Sequence, residues 1–153
     1  MREILFRGQT RRKGEKVRMD GSPVESNWVY GGIFQGPNRS VMYGYDPIEK
    51  YCVYSDTVGQ FTGLTDKNGK KVFEGDIIKF TDENADYEWI GRVEFGNPNA
   101  EYNWGFQLVY TKGTKANTDI LCWFDMEETG AYAEVIGNIH DNPELLEVED
   151  GAL

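Results

Sequence analysis

The chain is poor in the residues that most often do chemistry. It has one histidine, His140, and two cysteines, Cys52 and Cys122, in 153 residues. A single histidine leaves one place for imidazole-assisted nucleophile activation. Two thiols in a chain of this size read as reduced, partly buried small hydrophobes, so no disulfide is expected. Long apolar runs are missing as well. The opening MREILFRG has a three-residue apolar run between charges, too short for a signal-peptide core, and no run approaches membrane length. A cytoplasmic protein without a membrane contact follows as the expectation. There is no Gly-rich phosphate loop, no G-x-S-x-G and no zinc-ligand spacing. No cofactor or metal is therefore expected, and no catalytic residue is assigned.

Basic charge is scarce beyond the first third. Residues 1–56 hold 9 Lys/Arg against 7 Asp/Glu, whereas the rest holds 7 against 19, for a net charge of −10. An acidic second half repels a phosphate backbone. The one basic cluster is Arg11, Arg12, Lys13, Lys16 and Arg18. It reads as a solubilising loop that faces solvent or the acidic half of a neighbouring subunit. The functional alternative is an arm that contacts nucleic acid or another anion.

What is plentiful is glycine, 18 residues, and aromatic side chains at 14%. Glycines separating short apolar runs indicate a β-rich chain with tight turns. Ile4, Leu5 and Phe6 read as a first strand, followed by a polar connection from Gln9 to Pro23. Trp28–Gln35 and Tyr51–Ser55 read as further strands. Later, Tyr87, Trp89, Gly91, Val93 and Phe95 share one face of a period-two run. Trp104, Phe106, Leu108 and Tyr110 form a second such face, and Ala133, Val135, Gly137 and Ile139 a third. Ile78 with Phe80, and Ile120 with Cys122 and Phe124, complete five runs that suit a small barrel. Folding a chain of this length buries roughly two thirds of its unfolded surface, enough for a core without metal or disulfide. The single helix signal is Asn142-Pro143-Glu144-Leu145-Leu146, in which Asn142 can cap and Pro143 suits the first helical position.

Four motifs invite a functional reading and have simpler ones. Asp66-Lys67-Asn68-Gly69 resembles the start of a calcium loop, but Ile77 stands where the bidentate Glu is required, so a hairpin turn is expected. Asp82, Asn84, Asp86 and Glu88 alternate like oxygen ligands, yet Tyr87 replaces the turn glycine and Val93 the closing Glu. A solvated acidic loop is expected there. Gly75-Asp76-Ile77-Ile78 suits a sharp entry into a core strand. His140 beside Asp141 reads as a surface group next to a helix cap.

The run Thr57-Val58-Gly59-Gln60-Phe61-Thr62-Gly63-Leu64, then Asp66 to Lys70, then Phe73-Glu74-Gly75-Asp76-Ile77, resembles the central signature of the YopX family. The segment from Glu134 to Leu146 is similar to that family's C-terminal signature. Arg2 to Gly8 and Trp28-Val29-Tyr30-Gly31 resemble its N-terminal part. Arg12 to Asn27 departs from the pattern, being longer and more basic. The resemblance implies a phage or prophage origin and a C-terminal SH3-like barrel. It implies no activity. The expected organisation is a β-rich region over 1–56 and an SH3-like barrel with an acidic tail over 57–153, mainly β with one short C-terminal helical turn. The expected function is a non-enzymatic accessory module that binds a phage or host protein or forms a homo-oligomer. The alternatives are a nucleic-acid binder using Arg11–Arg18, and a nuclease-like barrel enzyme centred on His140 or the Gly75-Asp76 turn.

Overall fold

The computed structural model of the chain describes residues 3–14, 25–44, 49–83, 87–100, 104–112 and 131–147. Within them the protein is mainly β, and the strand pairings with a defined register are antiparallel. Contacts group the chain into Met1–Phe61 and Thr62–Leu153.

In the first unit, β1 (Phe6–Arg11) pairs with β2 (Asn27–Phe34), which pairs with β3 (Arg39–Tyr43), which pairs with β4 (Lys50–Tyr54). A 3-10 turn at Ser55–Thr57 leads into β5 (Gly59–Thr65), whose start returns to the other side of β1 through Phe6↔Gln60 and Arg7↔Gly59. β2 serves β1 with its first half and β3 with its second, and Gly31 lies where the two halves meet. A Cβ there would sit 1.9 Å from the Tyr43 carbonyl oxygen, so only glycine fits the bend. Leu5, Met42, Val53 and Phe61 are buried. Gly8 lies against Val53, where a Cβ would come within 3.0 Å of a methyl carbon. The predicted first strand at Ile4–Phe6 thus begins later, and Gln9 to Arg11 belong to β1 rather than to a polar connection. Gln9 is buried because its N–H donates to Thr57 Oγ1 at 2.9 Å, which removes the cost of burying that donor.

In the second unit, the far half of β5 lies beside the three-residue β6 (Lys71–Phe73). A four-stranded sheet follows, in the order β10-β7-β8-β9, built from β7 (Asp76–Asp82), β8 (Tyr87–Gly96), β9 (Gly105–Lys112) and β10 (Ala131–Asn138). Its core is Val72, Ile78, Phe80, Val93, Leu108, Ala131 and Ala133, with Trp89, Phe106 and Tyr110 against it. Ile78, Phe80, Val93, Leu108 and Ala133 are inward positions that the period-two runs predict, whereas Val72 and Ala131 lie outside those runs. Phe95 and Trp104 differ: they are 54% and 75% exposed, because they lie at the end of the β8–β9 hairpin, beyond the core. The helical turn at Pro143–Leu146 is a 3-10 turn. The expected strand at Ile120–Phe124, with Cys122, lies outside the described residues, as do Asn84 and Asp86.

Candidate functional site

The polar residues of the signature motifs are engaged with main chain. Asp66 is only 6% exposed. Its Oδ1 accepts the Asn68 and Lys70 N–H groups, both at 2.9 Å, and its Oδ2 accepts the Val135 N–H at 3.0 Å. Asp66 N–H donates to Lys70 O and Gly69 N–H to Asp66 O, closing the expected hairpin, with Gly69 at φ +79°. Asn-Gly takes this shape readily because glycine pays no Cβ penalty at positive φ. Lys67 N–H donates to Ala133 O at 3.1 Å, and its ammonium meets Glu134 at 3.3 Å and the Tyr132 ring at 4.0 Å. The hairpin tip thereby occupies the outer edge of β10. Both carboxylate oxygens of Asp66 hold N–H groups, so this turn ties the β5–β6 hairpin to β10 of the four-stranded sheet.

Asp76 is buried, and its Oδ2 accepts the Phe73 N–H at 2.8 Å. This is the strand entry that the Gly75-Asp76 step predicts. The Gly75 N–H donates to Val93 O, and Gly75 O accepts the Ile139 N–H, both at 2.9 Å. In the C-terminal signature, Asn138 Oδ1 accepts the His140 and Asp141 N–H groups at 3.0 and 2.9 Å. Asn142 Oδ1 accepts the Asn138 N–H at 3.2 Å. Asn142 therefore does not cap the following turn with its side chain, contrary to expectation, since its oxygen is already used in the preceding turn. His140 is half-buried in this turn.

The basic cluster is only partly described. Arg11 ends β1 and donates from Nε to Glu25 O at 2.8 Å. Arg12 pairs with Asp56 at 2.7 Å, and its guanidinium lies 4.2 Å from the Tyr54 ring centroid. Arg39, which the basic-cluster reading omitted, lies 3.8 Å from the same ring. Residue 39 is far from the cluster in sequence, and only the Arg39↔Tyr54 pairing of β3 with β4 unites them. Lys13 is exposed, while Lys16 and Arg18 lie outside the described residues. Glu88 sits between Lys79 at 3.1 Å and Lys112 at 3.2 Å on β7 and β9. Hydrogen bonds from Lys79 and then Lys112 hold its carboxyl below the ordinary range. Glu88 is thus paired with lysines on both neighbouring strands. Tyr51 donates its phenolic O–H to Glu49, which raises its pKa above the ordinary value. Among the described residues, no three His, Cys, Asp or Glu side chains come together as metal ligands would. No helix among them is long and apolar enough to cross a membrane.

The feature that sequence reasoning could not place is an aromatic surface on β2 and β3. Phe34 is 74% exposed, Tyr30 48% and Tyr43 44%. Cross-strand pairing sets Phe34 beside Val41 and Val41 beside Cys52, and sets Tyr43 beside Lys50. Cys52 is an exposed free thiol, which corrects the expectation of partial burial. It is exposed because Val53, its neighbour in β4, takes the inward position.

No curated protein matches the chain. Among solved structures, the crystal structure of protein EF1440 from Enterococcus faecalis is similar at a TM-score of 0.47 and 19% identity, covering 96% of this chain and 100% of that one. A family model described as YopX protein matches residues 38–147, which include the Asp66 hairpin, the Asp76 strand entry and the Asn138–Asn142 turn. The chain belongs to the YopX family.

Proposed function

We propose that the protein is a non-enzymatic, self-associating interaction module, encoded by a phage or prophage and working in the cytoplasm of the bacterial host. The observation that carries this reading is the exposed aromatic surface of Tyr30, Phe34 and Tyr43 on adjoining strands. Aromatic groups of this kind anchor protein contacts, because they bury much area at small entropic cost. The family-signature carboxylates support the same reading, since Asp66 and Asp76 spend oxygens on main-chain N–H groups. That use supports a structural role over general acid–base work.

A second reading has one observation in its favour. Arg12 and Arg39 share the Tyr54 ring, with Arg11 and Lys13 near Arg12 in the chain. This basic group, extended by Lys16 and Arg18, would contact nucleic acid or another anion.

Light scattering coupled to size exclusion, with and without a short nucleic acid at low and high salt, separates the two. The expected result is a mass that is a multiple of 17.5 kDa, unchanged by nucleic acid. Phe34→Ser and Tyr43→Ser together should shift the protein toward monomer without loss of fold, since both side chains are exposed. A monomer at every concentration would overturn self-association. A salt-sensitive nucleic-acid complex lost on changing Arg11, Arg12 and Lys13 to Ala would establish the second reading instead.

A further inference from the structure

An unpaired strand edge invites another strand, and folded proteins normally protect such edges. Of the other three edges here, one is covered, one is covered at a single carbonyl and one is very short. The outer edge of β10 is taken by the hairpin tip, through Lys67 N–H to Ala133 O and Val135 N–H to Asp66 Oδ2. On β9, Asn99 Nδ2 donates to Leu108 O at 3.1 Å. β6 is only three residues long. β4 differs: it ends its sheet, and among the described residues no strand lies beyond it. Its pairing with β3 runs from Arg39↔Tyr54 to Tyr43↔Lys50 without a register shift, so no bulge turns the edge away.

The direction of the main-chain groups on β4 follows from the bonds that bracket it. Gly44 N–H donates to Glu49 O at 2.9 Å, and Ser55 N–H to Asn38 O at 3.1 Å. Bonded and non-bonded pairs alternate along an antiparallel ladder. Tyr51 and Val53 are therefore the residues bonded to β3, whereas Lys50, Cys52 and Tyr54 turn their N–H and C=O groups outward; Tyr54 O accepts the Thr57 hydroxyl at 2.6 Å, which leaves Lys50 and Cys52 for the open edge.

We infer that β4 is the seam of a two-fold dimer, in which it pairs antiparallel with β4 of a second copy about Cys52. The inference rests on the self-association reading and names its surface. A second copy is the fitting occupant because an antiparallel edge is complementary to itself, and a two-fold contact needs that property. β4 has five residues with Cys52 at its centre, so the axis passes through a residue whose main-chain groups already point outward. The same pairing extends the exposed row Phe34–Val41–Cys52 into the matching row of the second copy, joining the two aromatic surfaces.

Hydrogen exchange on the unaltered chain tests the seam. The Lys50 and Cys52 amides should exchange quickly in dilute protein and slow as concentration rises, whereas the Val135 amide stays protected throughout. Protection of Lys50 and Cys52 at every concentration would mean that the chain covers its own edge, and would overturn the inference. Fast exchange of both in a sample that sedimentation shows to be dimeric would overturn the seam and leave self-association standing. A monomer at all concentrations would overturn both. Cys52→Pro in the full chain gives the second measure. Proline is tolerated on an edge strand where its missing N–H faces outward. It should raise the dimer dissociation constant by about tenfold or more through the lost symmetric bonds. An unchanged constant in folded protein would sink the seam.

Discussion

At the scale of single residues, the polar signature positions act as clamps on the backbone. Asp66 answers three N–H groups from a nearly buried site, two of them local and one 69 positions away. Asp66→Ala would leave those donors unmet and should cost about 3 kcal/mol of stability, read as a lower urea midpoint. Asp66→Asn, which keeps one acceptor oxygen, should cost less. Gly137 acts by close approach: a Cβ there would lie 2.5 Å from Asn142 Oδ1. Gly137→Ala should displace the oxygen that holds Asn138 N–H, destabilising by about 1–3 kcal/mol in the same assay. The turn at Asp66–Gly69 was legible because its causes are local. Its bond to Val135 was not, because no spacing within the motif encodes a partner so far along the chain.

Strands with strict alternation were read with their faces correct, as Val93 on β8 and Leu108 on β9 show. β3 was missed. Its inward residues are Ser40 and Met42, and a serine interrupts the apolar pattern. Ser40 is nonetheless buried, because its hydroxyl meets Ser55 Oγ at 2.8 Å and accepts the Gly36 N–H at 3.2 Å. β1 was placed too early for the same reason: Arg7 and Gln9 look like loop residues but are buried. Arg7 lies 4.6 Å from the Trp28 ring, a packing partner supplied by β2. Between strands, Glu88 bridges Lys79 and Lys112, and its lowered pKa fixes a pH dependence. A carboxyl with a depressed folded pKa stabilises above its unfolded value and loses that contribution as pH falls through the folded one. The bridge should thus be intact at neutral pH and fade below the ordinary carboxylate value of 4.5. In an NMR titration, Glu88 should have a midpoint below 4.5 that moves up in Lys79→Met. The effect should shrink with added salt, since the groups are exposed.

Over the whole molecule, net charge gives opposite salt signs to the two functional readings. A chain of net charge −10 repels its copies, and salt screens that repulsion. Self-association should therefore tighten as salt rises, whereas nucleic-acid binding through Arg11, Arg12 and Lys13 should weaken. Sedimentation across a salt series distinguishes the two by direction alone. By itself, the amino-acid sequence determined the mainly β character, the hairpin at Asp66–Gly69, the strand entry at Gly75-Asp76 and the family resemblance. Each rests on near neighbours in the chain: period-two burial, positive-φ turn residues and ordered motifs. Only the tertiary structure decided that Asp66 reaches β10, that Arg39 joins Arg12 on Tyr54, and that Phe34, Tyr43 and Cys52 face outward beside an open edge. Those outcomes depend on which strands pair and in what register. Pairing is set by how apolar faces close over a shared core, which no single segment carries.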